Sequence, residues 1–243
     1  MAAPYLIFGA SGAIGTAIAA DMAAQGHQLH LAGRDAARLA ALSGQLAMPS
    51  SRFDALDADS IRQVVAEAST GGQLAGLVWA VGSILLKPIA KLTETEFSDC
   101  FALNVTGAAM AVQAALPALQ AGQGSVLLFS SVAARSGFAA HSAIGAAKAG
   151  VEGLGLALAA ELAPSVRVNV IAPSLSASNM SAGLTQNSAL AKALAKLHPL
   201  GRLGKAKDFA PLARLLLEPQ SGSWMTGAVI PVDGGRANLH KSG

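Results

Sequence analysis

Short apolar runs alternate with longer stretches of helical spacing along the whole chain. Runs at 5–9, 28–32, 51–54, 77–80, 125–130, 166–171 and 228–232 are brief and mostly unbroken, which is how strands buried on both faces read. Between them, apolar residues recur at three- and four-residue intervals over 13–25, 36–46, 59–68, 94–119, 143–162 and 206–217, which predicts helices. This alternation predicts an α/β protein: one doubly wound parallel sheet of about seven strands, covered by helices on both faces. Right-handed crossovers in such a sheet put ligands at the carboxyl ends of its strands. No linker, repeat or low-complexity tract interrupts the pattern, so residues 1–243 are read as one Rossmann-type domain. The irregular stretch 174–188, rich in Ser, Asn and Thr, is expected to shape a pocket, and its Leu175, Met180 and Leu184 point to a partly apolar small-molecule ligand.

Composition narrows the classes. Apolar residues make up 52% of the chain and charged residues 13%, which excludes disorder, and no run of 18 apolar residues predicts a membrane span. The pI of 9.2 rests on a net charge of +3 with scattered Lys and Arg, a mildly basic surface rather than a nucleic-acid patch. The single cysteine, Cys100, forms no internal disulfide or cysteine metal cluster, and no metal site is expected. The first residues lack a basic leader, so the cytoplasm is the expected compartment.

The first candidate for chemistry is Gly9-Ala10-Ser11-Gly12-Ala13-Ile14-Gly15, which follows the first strand and opens the first helix. Glycines permit a tight turn and close backbone approach, and the helix start offers unpaired N–H groups to a pyrophosphate. A purely structural loop is the competing reading of three glycines. The second strand ends Gly33-Arg34-Asp35. A carboxylate there would select NAD through the ribose 2′-hydroxyl; glycine removes that bond, and Arg34 suits a 2′-phosphate. This favours NADP(H) over NAD(H), against the plainer reading of Arg34 as a solvated residue before a helix that Asp35 caps.

Together with these segments, Asn104 in Phe101–Gly107, Ser131, Lys148, Arg167–Pro173, Arg202-Leu203-Gly204, Thr226-Gly227 and Val232–Gly235 follow one another in an order that resembles the short-chain dehydrogenase/reductases over essentially the whole chain, in particular the branch of β-ketoacyl carrier-protein reductases. The resemblance implies catalytic roles for Asn104, Ser131 and Lys148. It implies cofactor contacts from the turn residues Gly9, Ser11, Gly12, Ala13, Ile14 and Gly15, from Arg34, from Asp54 near the adenine, and from Ala80, Val81 and Gly82. It also implies contacts from Lys148 to the nicotinamide ribose, and from Pro173, Ser176 and Ser178 near the carboxamide. Three departures stand out. Ala13 replaces a common glycine while Gly12 supplies one earlier, opening a different loop path. The family's N-N-A-G becomes Trp79-Ala80-Val81-Gly82.

The third departure concerns the reaction. Ile144 stands thirteen residues after Ser131 and four before Lys148, where the family has its proton-donating tyrosine. The chain's one tyrosine, Tyr5, opens the first strand, so no shift of register supplies a phenol. Losing a positioned general acid removes roughly 10²–10⁴-fold in rate. His141, three residues earlier, is the candidate substitute acid, against an ordinary loop histidine. Three readings follow: an NADP(H)-dependent oxidoreductase acting on a small carbonyl or alcohol, reduction of an activated carbon–carbon double bond, whose second proton comes from water, or a non-catalytic NADP(H) sensor or scaffold. By analogy with the family, a homotetramer (or homodimer) assembled through helix 143–162 and the last strand is expected.

Overall fold

The computed structural model describes residues 2–177 and 188–239. Seven strands, β1 (Tyr5–Phe8), β2 (Leu29–Gly33), β3 (Ser50–Arg52), β4 (Gly76–Trp79), β5 (Ser125–Phe129), β6 (Arg167–Pro173) and β9 (Val229–Val232), form one sheet in the order β3-β2-β1-β4-β5-β6-β9. Every pairing is parallel, with Tyr5 opposite Leu29 on one side and Gly76 on the other. The order reverses between β1 and β4, the crevice where open α/β sheets take their ligands. Two short strands, β7 (Ser176–Ala177) and β8 (Gly204–Lys205), pair separately.

Period-two alternation divides the core. Leu6 and Phe8 face one layer, with α3 (Ala58–Ala68), α5 (Gly107–Ala121) and α6 (Ser142–Leu162); Tyr5 and Ile7 face the other, with α1 (Ala13–Ala24) and α2 (Ala36–Leu46). The C-terminal α8 (Ala210–Leu217), which follows α7 (Ser188–Lys196), completes the second layer. The spans Glu94–Ala121 and Ser142–Leu162 are long and apolar enough to cross a bilayer, yet both lie against the sheet as core helices.

Two predicted helices prove composite. The stretch from 94 onward breaks into α4 (Glu94–Phe101), a π turn (Ala102–Thr106) and α5, with Gly107 N–H donating to the Ala102 carbonyl. The stretch from 206 begins as a 3₁₀ turn before α8. The sequence pattern did not predict α7 or the β7–β8 pair.

Trp79, at the end of β4, is held by packing. Its ring is 2% exposed, lies 5.1 Å from Phe8 and 6.1 Å from Phe53, and fills the room left at Gly107, where a Cβ would stand 2.7 Å from Cζ2. Its indole N–H is buried without an acceptor, a cost of about 1–3 kcal/mol set against that burial.

Candidate active site and cofactor cradle

The glycine turn is shaped by close approach. Gly9 takes a left-handed φ of +80°, and a Cβ there would stand 2.5 Å from the Ala80 carbonyl oxygen, so β1 and β4 meet at a point only glycine fits. A Cβ on Gly15 would collide with the Gly9 carbonyl. Gly12 is extended, donates to the Gly9 carbonyl at 2.9 Å and precedes α1 with no side-chain cap. The first N–H groups of α1 therefore face the turn without a side-chain partner, the arrangement that receives a phosphate. Ala13 and Ile14 open the helix, so the shifted glycine leaves the helix start intact.

Gly33 has a further reason to lack a side chain: a Cβ there would stand 2.7 Å from the Ser11 hydroxyl. Arg34 follows, exposed, and Asp35 caps α2 by accepting from Arg38 N at 3.1 Å. Strand pairing brings in a residue that the sequence reading missed. Arg52 lies opposite Gly33 and donates to the Arg34 carbonyl at 3.3 Å, so two guanidinium-bearing residues border this end of the crevice. Asp54 lies two residues beyond β3, exposed, and accepts from Leu56 N at 3.0 Å.

The polar chemistry converges on Gly82. A Cβ there would stand 3.0 Å from Asn104 Oδ1 and 3.2 Å from Lys148 Nζ. Asn104, fully buried in the π turn, donates from Nδ2 to the Cys100 carbonyl at 2.8 Å, and its Oδ1 has no partner. A buried acceptor without a partner, beside an ammonium and a glycine, fits a hydroxyl-bearing group. Lys148 is buried and donates to the Phe129 carbonyl at 2.8 Å. Burial pulls its ammonium down to about 8, with nearby Cys100 acting weakly the other way. The same burial pushes the Cys100 thiol up.

Ser131 follows β5, and its hydroxyl accepts from Ala133 N at 3.1 Å. Ile144 is 6% exposed and packs with Cys100, Ala143 and Ala147 against Leu85, Phe97 and Phe101. Position 144 is thus part of an apolar cluster. His141 stands just before α6; its Nδ1 meets the Ala139 carbonyl at 2.8 Å and its ring lies 5.3 Å from Phe138, over which Arg236 sits. It opens onto a cleft of about 340 Å³ shared with Ile89, Ala133 and Phe138.

At the far side, Pro173 ends β6 opposite Val232, and Ser176 lies in β7 opposite Gly204; Ser178 is outside the described residues. Between them Ser174 reveals a second unforeseen residue: its hydroxyl meets Nε2 of the buried His198 at 2.9 Å, whose Nδ1 meets the Leu194 carbonyl at 3.0 Å. That pair ties the end of β6 to α7.

Residues 9–237 match the family profile described as Enoyl-(Acyl carrier protein) reductase. The chain is a short-chain dehydrogenase/reductase. A tropinone reductase homologue of Arabidopsis thaliana is 31% identical over 239 residues, covering 95% of this chain and 91% of that one. The structure of a short-chain type dehydrogenase/reductase from Mycobacterium ulcerans is 30% identical, with a TM-score of 0.91 over 97% of this chain and 90% of that one. An actinorhodin polyketide ketoreductase solved with NADPH shares the fold at 22% identity, with a TM-score of 0.92 over 98% of each chain. Membership brings this short-chain dehydrogenase/reductase into a family of oxidoreductases.

Proposed function

We propose that the protein is an NADP(H)-dependent oxidoreductase that transfers hydride between the nicotinamide and a small carbonyl or alcohol. The observation that carries this reading is the meeting of Asn104 Oδ1 and Lys148 Nζ at Gly82, beside a glycine turn that fits a dinucleotide. The Gly9–Gly15 turn would hold the pyrophosphate on the α1 N-terminus, with Ser11 at its rim. Arg34, joined by Arg52, would pair with a 2′-phosphate, and Asp54 would lie beside the adenine. Ala80, Val81 and Gly82 would line the crevice wall, Lys148 would hold ribose hydroxyls, and Pro173, Ser176 and Ser178 would border the carboxamide. When bound, the cofactor supplies the hydride.

This chain's residues supply the rest. The Ser131 hydroxyl is the hydrogen-bond donor for a substrate oxygen, and the Lys148 ammonium adds positive charge where negative charge develops. His141 is the candidate proton source at the mouth of its cleft. A second reading is favoured by the apolar setting of Ile144: reduction of an activated carbon–carbon double bond, which leaves the second proton to water.

Steady-state oxidation of NADPH and NADH against a panel of ketones, quinones and enones tests the proposal, with product analysis to tell an alcohol from a saturated carbonyl. Turnover with NADPH is the expected result. NADPH binding with no turnover on any compound favours a sensor or scaffold instead. We further propose a homotetramer built through α6 and β9, acting in the cytoplasm; a monomer by light scattering at micromolar concentration overturns that assembly.

A further inference from the structure

One carboxylate grips both flanks of the segment that carries Ser131. Glu152, one turn beyond Lys148 on α6, takes the Ser130 hydroxyl on Oε1 at 3.0 Å and Arg135 Nε on Oε2 at 2.6 Å. Ser130 immediately precedes Ser131, and Arg135 ends the 3₁₀ turn that Ser131 begins. The Ser130 hydroxyl stands equally far, 3.0 Å, from the Lys148 carbonyl, so these two acceptors share its one proton, while Lys148 Nζ donates to the Phe129 carbonyl at 2.8 Å. The end of β5 and the Lys148 turn of α6 are therefore clasped in both directions, and Glu152 extends the clasp past Ser131.

The two halves differ in exposure. The Glu152 side chain is 11% exposed and the Arg135 side chain 67%. An ion pair with one partner in water contributes little to stability. Its geometric consequence is larger, because Ser131 is two-faced: its hydroxyl accepts from Ala133 N only while the segment 130–135 keeps its path. Ser130 is adjacent in the chain and its hydroxyl is held by α6 while that of Ser131 takes Ala133 N, so fixing the first restrains the second.

We propose that Glu152 is a positioning residue for the Ser131 hydroxyl, acting through Ser130 on one side and Arg135 on the other. The inference rests on the oxidoreductase reading for its kinetic consequence but not for its structural one. Glu152→Ala should lower kcat about tenfold for the panel compound reduced fastest with NADPH, the scale of a slightly misplaced group. The Kd of NADPH should stay within about twofold, since the glycine turn lies elsewhere and Lys148 Nζ keeps its bond to the Phe129 carbonyl. Glu152→Gln, which keeps an oxygen for Ser130, should fall between. In a Ser131→Ala background, Glu152→Ala should cost nothing further, because the group it positions is gone. Additive losses, or a matching loss of NADPH affinity, overturn the proposal. Hydrogen exchange on the cofactor-free protein decides it without turnover. The Ala133 amide should exchange about tenfold faster in Glu152→Ala and unchanged in Glu161→Ala, an exposed site on the same helix; unaltered Ala133 exchange in Glu152→Ala also overturns it. A wild type that reduces no panel compound counts against the oxidoreductase reading alone and leaves Ala133 exchange to judge this one.

Discussion

At the β1–α1 turn the backbone makes the surface: glycines at 9 and 15 let main chain touch main chain, and the N–H groups of α1 need no side chain to present them. Around α6 the chemistry rests on side-chain atoms, most of them buried: Asn104 Oδ1, Lys148 Nζ, the Ser131 hydroxyl and the methyl groups of Ile144. A backbone-built site tolerates sequence drift as long as its glycines stay, whereas one substitution rewrites a site built from side chains. At about 30% identity to its relatives, this chain has glycine at both crowded points of the turn and an isoleucine at 144.

The contrast is sharpest at Gly15. Gly15→Val drives a branched side chain into the Gly9 carbonyl, and calorimetry should find NADPH and NADH binding weakened roughly thousandfold, about 4 kcal/mol. Near-normal affinity would break the backbone half of the comparison.

Lys148 tests the other half. Its folded value of about 8 lies below the ordinary 10.5, so between those values the unfolded chain holds the extra proton and stability rises with pH. Below pH 8 the full penalty of burying the ammonium is present. Lys148→Met should therefore raise the stability of the cofactor-free protein at pH 7 by about 3 kcal/mol and flatten its rise towards pH 10, while weakening NADPH binding. Denaturant melts at pH 7 and pH 10 check both signs; a less stable variant would mean that the Phe129 bond outweighs desolvation.

Ile144→Tyr asks whether the acid alone is missing. A positioned acid is worth about 10²–10⁴-fold, and the apolar cluster offers the hydroxyl few partners, so a gain of about 100-fold in kcat for a ketone is expected. A buried unpartnered hydroxyl should cost about 1–3 kcal/mol of stability. A folded variant with no gain would show that more than a proton donor has changed. The smallest effect belongs to the nucleotide rim: Arg34→Ala should weaken NADPH about tenfold and Arg52→Ala less, both leaving NADH unchanged. Equal effects on the two cofactors would remove the case for the 2′-phosphate.

The inner strands β1, β4 and β5 and the glycine turn were legible because buried parallel strands read as apolar runs and the turn is local in sequence; the edge strand β3, Ser-Ser-Arg, carries no such run. The π turn at 102–106 was not, since apolar residues run on through it and one wide turn barely shifts their period. Arg52 escaped notice because only the pairing of β2 with β3 sets it against Gly33 and Arg34. His198 and Glu152 were silent for the same reason: their partners, Ser174 and the Ser130–Arg135 segment, lie across the fold rather than along the chain. Ile144 was visible as a missing phenol, but only the structure shows the aromatic and aliphatic neighbours that have closed around it.

The burial of Trp79 has an optical consequence. The chain has two tryptophans, one 2% exposed at the end of β4 and the other, Trp224, 99% exposed. Iodide in the buffer quenches the second and spares the first, leaving blue-edge emission from an indole one residue from Ala80. That residual emission reports on the packing of the core layer around Phe8, Phe53 and Gly107, and it can be followed without a label.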